Sequence, residues 1–454
     1  MQTTLLLKLL GAILLFSCKK DRLPIGDTTT VVVDTLQGTI TANTTLSANK
    51  NYFLKGKVYV KNNATLTIPA GVTVLAQVND LAENKSSLII TEGSKLNIAG
   101  TANSPVVFTS AATNKKPGDW GAIIILGNAP TNIGTGHVEG LTASADTQYG
   151  GTAATDNSGA IKYLRIEYSG GINPPAEDEW IVDKASGLCL AGVGSGTQID
   201  NVMVAHSNDD GFQFVGGTVN AMHLIAFNNG DDDFDFDLGY EGNLQFLIAY
   251  RTQASSQALR ANGVESYNDE VPTTNTPLTR PVISNMTIIG PQGTETVKTN
   301  INQGVYMRKG TRLAFRNSIV AEYSQGAFMV CPRTRPVILN NDWAEFRYNL
   351  VESDSADRTF SYDTSTSVIP DPELATFETN SVNKNVLLIA SADFKLPGMY
   401  SSTPNLTPDN GSPALTGADF TGVDFSVPFF EKTDYRGAIG STNWAASSNW
   451  AVWK

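Results

Sequence analysis

Two separate stretches of the chain repeat with the same step. Leu66-Thr67-Ile68-Pro69-Ala70-Gly71 aligns with Leu88-Ile89-Ile90-Thr91-Glu92-Gly93, placing Leu66 and Leu88, and Gly71 and Gly93, 22 residues apart. Val202, Leu224 and Phe246 keep the step of 22, as do Val204, Ala226 and Ile248. Phe212 and Phe234, Phe214 and Phe236, and Gly217 and Gly239 keep it too. A unit this short cannot bury its own apolar face. Stacked copies can, when each short strand pairs in parallel with its equivalent in the next coil. The repeat therefore predicts an all-β solenoid, a parallel β-helix with about 22 residues per coil. A β-sandwich would also alternate its side chains, but it has no reason to keep a fixed step.

Further strands are expected at Ile161–Tyr168, Ile199–Val204, Val282–Ile289, Leu313–Ala321 and Phe346–Val351. Asn201, Asn285, Asn317 and Asn349 lie at or within them. Asn accepts left-handed backbone and bonds local backbone groups, so stacked Asn residues suit the corners of a coil. Segments 127–158, 171–186, 251–281, 291–302, 354–383 and 397–428 break the step and read as long loops. Loops on a rigid scaffold commonly carry recognition. Trp444, Trp450 and Trp453 are expected to cap the open end of the coil.

The N-terminus has the layout of an export signal. Lys8 precedes an apolar run, Leu9–Phe16, which is too short to span a bilayer. Leu15-Phe16-Ser17-Cys18 resembles the bacterial lipobox, in which the Cys thiol takes the lipid. The expected divisions are a signal peptide at 1–17, a lipidated tether at 18–37 and the β-helix at 38–454. By the resemblance Cys18 carries three acyl chains. Two membrane signals already hold a protein stably, so this anchor is permanent. Asp27-Thr28-Thr29 and Asp34-Thr35-Leu36 resemble an O-glycosylation sequon, but such short matches arise often by chance and a plain spacer is the preferred reading.

Three signatures carry a family resemblance: Gly118-Asp119-Trp120-Gly121 leading into Ala122–Gly127, Asn208-Asp209-Asp210-Gly211-Phe212 through Ala221, and Asp231-Asp232-Asp233-Phe234-Asp235. Together they resemble Bacteroidota cell-envelope proteins with right-handed parallel β-helix repeats, a single-stranded, pectate-lyase-like solenoid. The resemblance implies residence in the outer membrane, surface-facing rather than periplasmic, and it supplies no chemistry.

The sharpest chemical feature is the acidic run. From Asp233 to Leu238 it alternates strictly, so Phe234, Phe236 and Leu238 should face the core while Asp233, Asp235 and Asp237 face outward. Asp209 and Asp210 lie one step before Asp231 and Asp232. Coils stack about 4.8 Å apart, so like charges would be neighbours and would repel. A bound cation or shared protons would relieve this, and a solvated acidic face is the simpler arrangement. Oxygen ligands from Asp209, Asp231, Asp233 and Asp235 would suit Ca2+. Asp209, Asp210 and Arg308 are the catalytic candidates. Carboxylate pairs cleave glycosides, and β-helical lyases join Ca2+-binding Asp to a basic residue. The Gly-His-Gly and Arg-Ile-Lys motifs of β-helical polygalacturonases are missing, and Arg251 and Arg260 have no placement. His206, three residues before Asp209, reads as a surface residue rather than an acid or base. Gly192-Val193-Gly194-Ser195-Gly196 lies between strands and opens no helix, so it reads as a turn.

Composition excludes more than it selects. The net charge of −12 becomes −13 when Lys8 is removed, with no basic cluster for nucleic acid. Cys189 and Cys331 are far apart and flanked by apolar residues, so buried free thiols are expected. No nucleotide or redox cofactor is implied. The functional expectation is an outer-membrane-anchored binding or adhesion module for glycan, using Trp120, Tyr149 and Trp180. A Ca2+-dependent polysaccharide lyase or glycoside hydrolase is the alternative, and a structural envelope protein is the third reading.

Overall fold

Strand Phe212–Val215 turns Phe212 and Phe214 inward, and strand Phe234–Asp237 repeats the pattern one coil on. Phe212 pairs in register with Phe234, and their rings stack at 4.9 Å. Phe214 and Phe236 stack beside them at 5.0 Å. Such pairs add about 0.5–1.5 kcal/mol each beyond burial. This unit recurs along the chain in the computed structural model. The structure describes residues 33–454 except 49, 80–84, 139–140, 171–185, 253–255, 257–259, 270–273, 294–297, 299 and 447–448. The expectations for Cys18, the signal peptide and Trp180 fall outside these residues.

The described strands form a parallel β-helix with three ribbons per coil. Ribbon one holds Thr65–Pro69, Lys95–Ala99 and the first halves of Gly159–Glu167, Gln198–Ala205, Asn220–Phe227, Asn243–Tyr250 and Val282–Ile289. The second halves of those long strands form ribbon two, with Ile319–Ala321, Leu350–Val351 and Val386–Leu387. Ribbon three runs through Ser87–Ile90, Ile123–Leu126, Leu188–Ala191, Phe212–Val215, Phe234–Asp237, Val264–Tyr267, Gln303–Arg308, Gly326–Val330 and Phe360–Asp363. One continuous apolar core, from Leu36 to Leu374, lies between the ribbons.

The step of 22 holds in part. Val202 faces Leu224 and Val204 faces Ala226, 22 residues on. The next coil is one residue longer, so Leu224 and Ala226 face Leu247 and Ala249 rather than Phe246 and Ile248. The early alignment of Leu66 with Leu88 is a coincidence of pattern. Leu66 pairs with Leu96 in ribbon one, whereas Leu88 pairs with Val58 and Ile123 in ribbon three. Loops inserted at the corners lengthen the other coils.

The corner between ribbons one and two explains the asparagines. Tyr163, Asn201, His223, Phe246, Asn285, Asn317 and Tyr348 occupy it in successive coils, all with φ between 52° and 61°. Asn tolerates this region, but aromatic residues there are strained. Stacking offsets part of that cost, since His223 and Phe246 lie ring to ring at 5.2 Å. Asn349 sits one residue past the corner in a ladder: Ser318 N donates to Asn349 Oδ1 and Asn349 N donates to Asn385 Oδ1.

Three boundaries differ from expectation. The first strand begins at Val33 and pairs with Asn51–Val60, so the coil starts before residue 38 and includes Asp34-Thr35-Leu36. Trp450 and Trp453 do not close the coil's end. They pack along its flank, on the outward side chains of ribbon two, among them Met203, Phe227 and Tyr250. Leu238 leaves the alternation, with φ 44° at a corner, and packs outside the main core. Cys189 and Cys331 are free and buried, as expected. No helix among the described residues is long and apolar enough to cross a membrane.

Candidate functional site

The outer side of ribbon three changes character along the helix. In one row the outward residues are Ile124, Cys189, Gln213, Asp235, Glu265, Tyr306 and Met329, each in register with the next. The neighbouring row reads Leu126, Ala191, Val215 and Asp237, with Tyr267 and Arg308 paired further on. The apolar start of both rows is covered by Val138 and Tyr149. Beyond it the rows become acidic, then aromatic and basic.

The acidic residues are buried, not spread on a solvated face. Asp209, Asp210, Asp232, Asp233, Asp235 and Asp237 are all buried, and so is Glu265. They divide into two groups. Oxygens of Asp209, Asp210 and Asp231 lie within 4.8 Å of one another, and so do oxygens of Asp232, Asp235 and Glu265. A backbone ladder holds the groups together. Asp232 N donates to Asp210 Oδ1 at 3.0 Å, and Asn262 N donates to Asp232 Oδ1 at 2.6 Å. Asn262 Nδ2 also reaches Asp232 Oδ1 at 2.8 Å.

Asp233 belongs to neither group. Its Oδ2 accepts from Arg251 Nε at 2.9 Å, and the same guanidinium donates to the carbonyls of Asn229, Asp231 and Asn262. The expected ligand set of Asp209, Asp231, Asp233 and Asp235 is therefore not one site. The corner before ribbon three turns Asp233 away, and Glu265, from a coil 30 residues on, joins Asp235 instead.

Burial, reinforced by Asp209, holds the Asp210 carboxyl well above the usual carboxylate range. Burial and then Glu265 do the same to Asp232. Asp233 is pushed up to about 6 by burial, against the pull of Arg251. The shifts of Asp210 and Asp232 are those expected of carboxylates that must share protons or a cation.

Arg308 completes the second group. Its Nη1 lies 2.6 Å from Glu265 Oε1, and its guanidinium sits over the rings of Tyr267 and Tyr306. Tyr267 Oη donates to Asp237 Oδ2 at 3.0 Å. Arg260 is engaged elsewhere, on Asp363. Of the catalytic candidates, Asp209 and Asp210 share the first group and Arg308 stands at the second. Sequence reasoning missed Asp232 as a ligand, and Glu265 and Tyr267 altogether. Glu265 and Tyr267 lie in a coil enlarged beyond the repeat, so no spacing pointed to them.

Of the three residues of the expected aromatic platform, Trp120 and Tyr149 are buried and Trp180 lies outside the described residues. Trp120 is fully buried against Phe108, with Nε1 donating to the Glu167 carbonyl. Tyr149, on the hairpin of Gly136–His137 and Gln148–Tyr149, is buried against the apolar start of ribbon three. His206 stacks on Tyr168 and meets the Lys454 carbonyl at 2.7 Å, so it serves the flank. A cavity of about 330 Å³ lies on that flank, lined by Phe227, Tyr250, Tyr400 and Trp453, away from the acidic rows. The charged chemistry sits on ribbon three, so we place the site there.

A three-ribbon parallel β-helix is the architecture of pectate-lyase-like solenoids. Comparison with known families agrees: the chain belongs to the pectate-lyase-like β-helix domain family, matching over residues 38–385. Among solved structures it is similar to the enzymatically active domain of bacteriophage CBA120 tailspike protein 2. That likeness has 12% identity and a TM-score of 0.35, and covers 69% of this chain and 43% of the tailspike domain. No curated protein matches the chain.

Proposed function

We propose that this protein is a polysaccharide-cleaving β-helix whose working face is ribbon three. The observation that carries the reading is the group Asp232, Asp235 and Glu265 with Arg308 Nη1 2.6 Å from Glu265. Its carboxylates stand in unlike environments: burial favours the protonated form of Asp232, while Glu265 is ion-paired. Such a pairing divides acid from base in glycoside cleavage. Asp232 would give a proton to the leaving oxygen, and the Glu265 carboxylate would accept one or attack. Arg308, with its side chain 31% exposed, would orient an acidic or hydroxyl-rich sugar. The binding-only reading loses two of the three aromatic residues it relied on, because Trp120 and Tyr149 are buried.

The other acidic group fits a hard divalent cation. Asp209, Asp210 and Asp231 would hold one Ca2+, leaving Asp232 and Glu265 free of it, since a carboxylate bound to a cation has no proton to give. A bound cation would neutralise the crowded charge and draw acidic sugars to the ribbon. For location, we propose lipid attachment at Cys18 and display from the outer membrane, on the strength of the Leu15–Cys18 lipobox. Metabolic labelling with a fatty-acid analogue tests this: Cys18→Ala should lose the label, and a labelled variant would refute the anchor.

The test of cleavage is incubation of the chain with a panel of polysaccharides, with and without Ca2+. New reducing ends and unsaturated products would be followed. Wild type should cleave at least one substrate, and Glu265→Gln and Asp232→Asn should each lose most of that activity. An intact panel, or full activity in Glu265→Gln, would defeat the reading.

A further inference from the structure

We propose that Trp343 is a sugar-stacking subsite, a flat platform for the apolar face of a pyranose ring in a polysaccharide. The class of ligand rests on the glycan reading above, while the platform itself stands on separate observations. Of the five described tryptophans Trp343 alone is exposed, at 53%. It lies in the loop between helix Arg335–Leu339 and strand Glu345–Arg347.

The backbone holds it up under strain. Trp343 has φ 60°, and Asn341 two residues before has φ 49°. A bulky residue in this region is strained, because its Cβ crowds the following carbonyl oxygen. The aromatic residues at the ribbon corner are also left-handed, but successive coils stack there and impose that conformation. Trp343 lies in a loop outside that column. Strain of this kind is kept where the surroundings over-determine it, and such places are often binding sites.

The surroundings do over-determine it. The Arg280 guanidinium lies 4.7 Å from the ring centroid. Arg280 Nε donates to the Trp343 carbonyl at 3.0 Å, and its two terminal nitrogens clasp Asp424 at 3.0 and 2.7 Å. Arg280 is buried, so the ring face resting on it is the inner one. The other face is left for a ligand, and the indole needs little ordering on binding.

The rim is polar rather than apolar. Asp342, paired with Arg312, has its side chain 60% exposed, and Asn341 Oδ1 accepts from Arg347. Hydrogen-bonding groups around one rigid aromatic face match a sugar, with an apolar C–H face and a hydroxyl edge. A protein partner would want a wider apolar patch. The loop also connects to the acidic ribbon. Arg312 links Asp342 to the Gly310 carbonyl, two residues past Arg308. A chain crossing Arg308 could continue to Trp343.

Affinity electrophoresis of the full chain through gels cast with polygalacturonate, alginate, xylan or starch tests this. Wild type should be retarded by at least one. Trp343→Ala should bind that polysaccharide about ten-fold more weakly, the scale of one aromatic contact. Trp343→Phe should recover part of the retardation, and both variants should stay folded, each with a single cooperative melting transition. No retardation of wild type by any gel, or equal retardation of wild type and Trp343→Ala, overturns the proposal. Glu265→Gln separates the two readings, because it should lose cleavage and keep retardation. Trp343-dependent retardation without any cleavage would sink the enzymatic reading alone. Cleavage with retardation indifferent to Trp343 would sink this one alone.

Discussion

Arg251 and Asp233 form a salt bridge, Nε to Oδ2 at 2.9 Å, with both side chains almost wholly buried at 2% and 0% exposure. The guanidinium also ties three backbone carbonyls from adjoining coils, so one arginine fixes the corner from which both acidic groups project. Breaking a buried pair by removing one partner leaves an uncompensated charge and costs about 3–5 kcal/mol. Arg251→Met should therefore lower the urea midpoint strongly at neutral pH. Because Asp233 is pushed up to about 6, the loss should shrink at pH 5, where the abandoned carboxyl can hold a proton. A variant equally stable to wild type at neutral pH would contradict this role.

Asp210 should be a liability in the absence of cations. A carboxyl whose folded pKa is raised binds its proton more tightly in the folded chain than in the unfolded one. Its contribution is full below the ordinary carboxylate value and is lost as pH climbs through the raised one. Asp210→Asn keeps the Oδ1 that accepts from Asp232 N and removes the charge. Melted in EDTA at neutral pH, the variant should be more stable than wild type by about 1–3 kcal/mol, the scale of a relieved buried polar group. At pH 4 the gain should vanish.

Calcium should reverse that ordering. A cation bound only by the folded chain stabilises it by about 2.7 kcal/mol at a hundred times its Kd. Wild type should melt higher in Ca2+ than in EDTA, and Asp231→Asn should lose much of that rise, because Asp231 shares its group with Asp209 and Asp210. Superimposable wild-type melting curves in Ca2+ and EDTA would remove the cation from the account.

The aromatic core stack sets the scale for the scaffold. Phe234 is fully buried and stacks on Phe212 with the rings 3° from parallel. Phe234→Ala should cost about 3–5 kcal/mol, read from denaturant unfolding. Phe246 should be more tolerant. It is buried and stacks on His223 and Tyr435, but it sits at φ 61° at a corner, so Phe246→Gly relieves strain while it loses both ring contacts. Its cost should fall below that of Phe234→Ala, because the relieved strain offsets part of the lost burial.

Some of this was legible in the residues alone. Alternation placed Phe212, Phe214, Phe234 and Phe236 in the core because inward and outward positions follow strand geometry, which is local. Their equal spacing revealed stacking because parallel register carries one coil onto the next. Asn201, Asn285 and Asn317 marked a corner because left-handed backbone selects that side chain.

Everything that depended on which coils meet was decided by the tertiary structure. Spacing aligned Leu66 with Leu88, yet inserted loops sent Leu66 to Leu96. The acidic run announced charge, but its neighbours Glu265 and Arg308 come from coils whose lengths are set by loops and follow no period. Trp120 and Trp343 illustrate the same division. Aromatic character is written in the chain, whereas burial of one and exposure of the other depend on what folds against them. The repeat thus specifies the scaffold, because it is a sum of local rules. The site lies across coils, where only the folded register brings its members together.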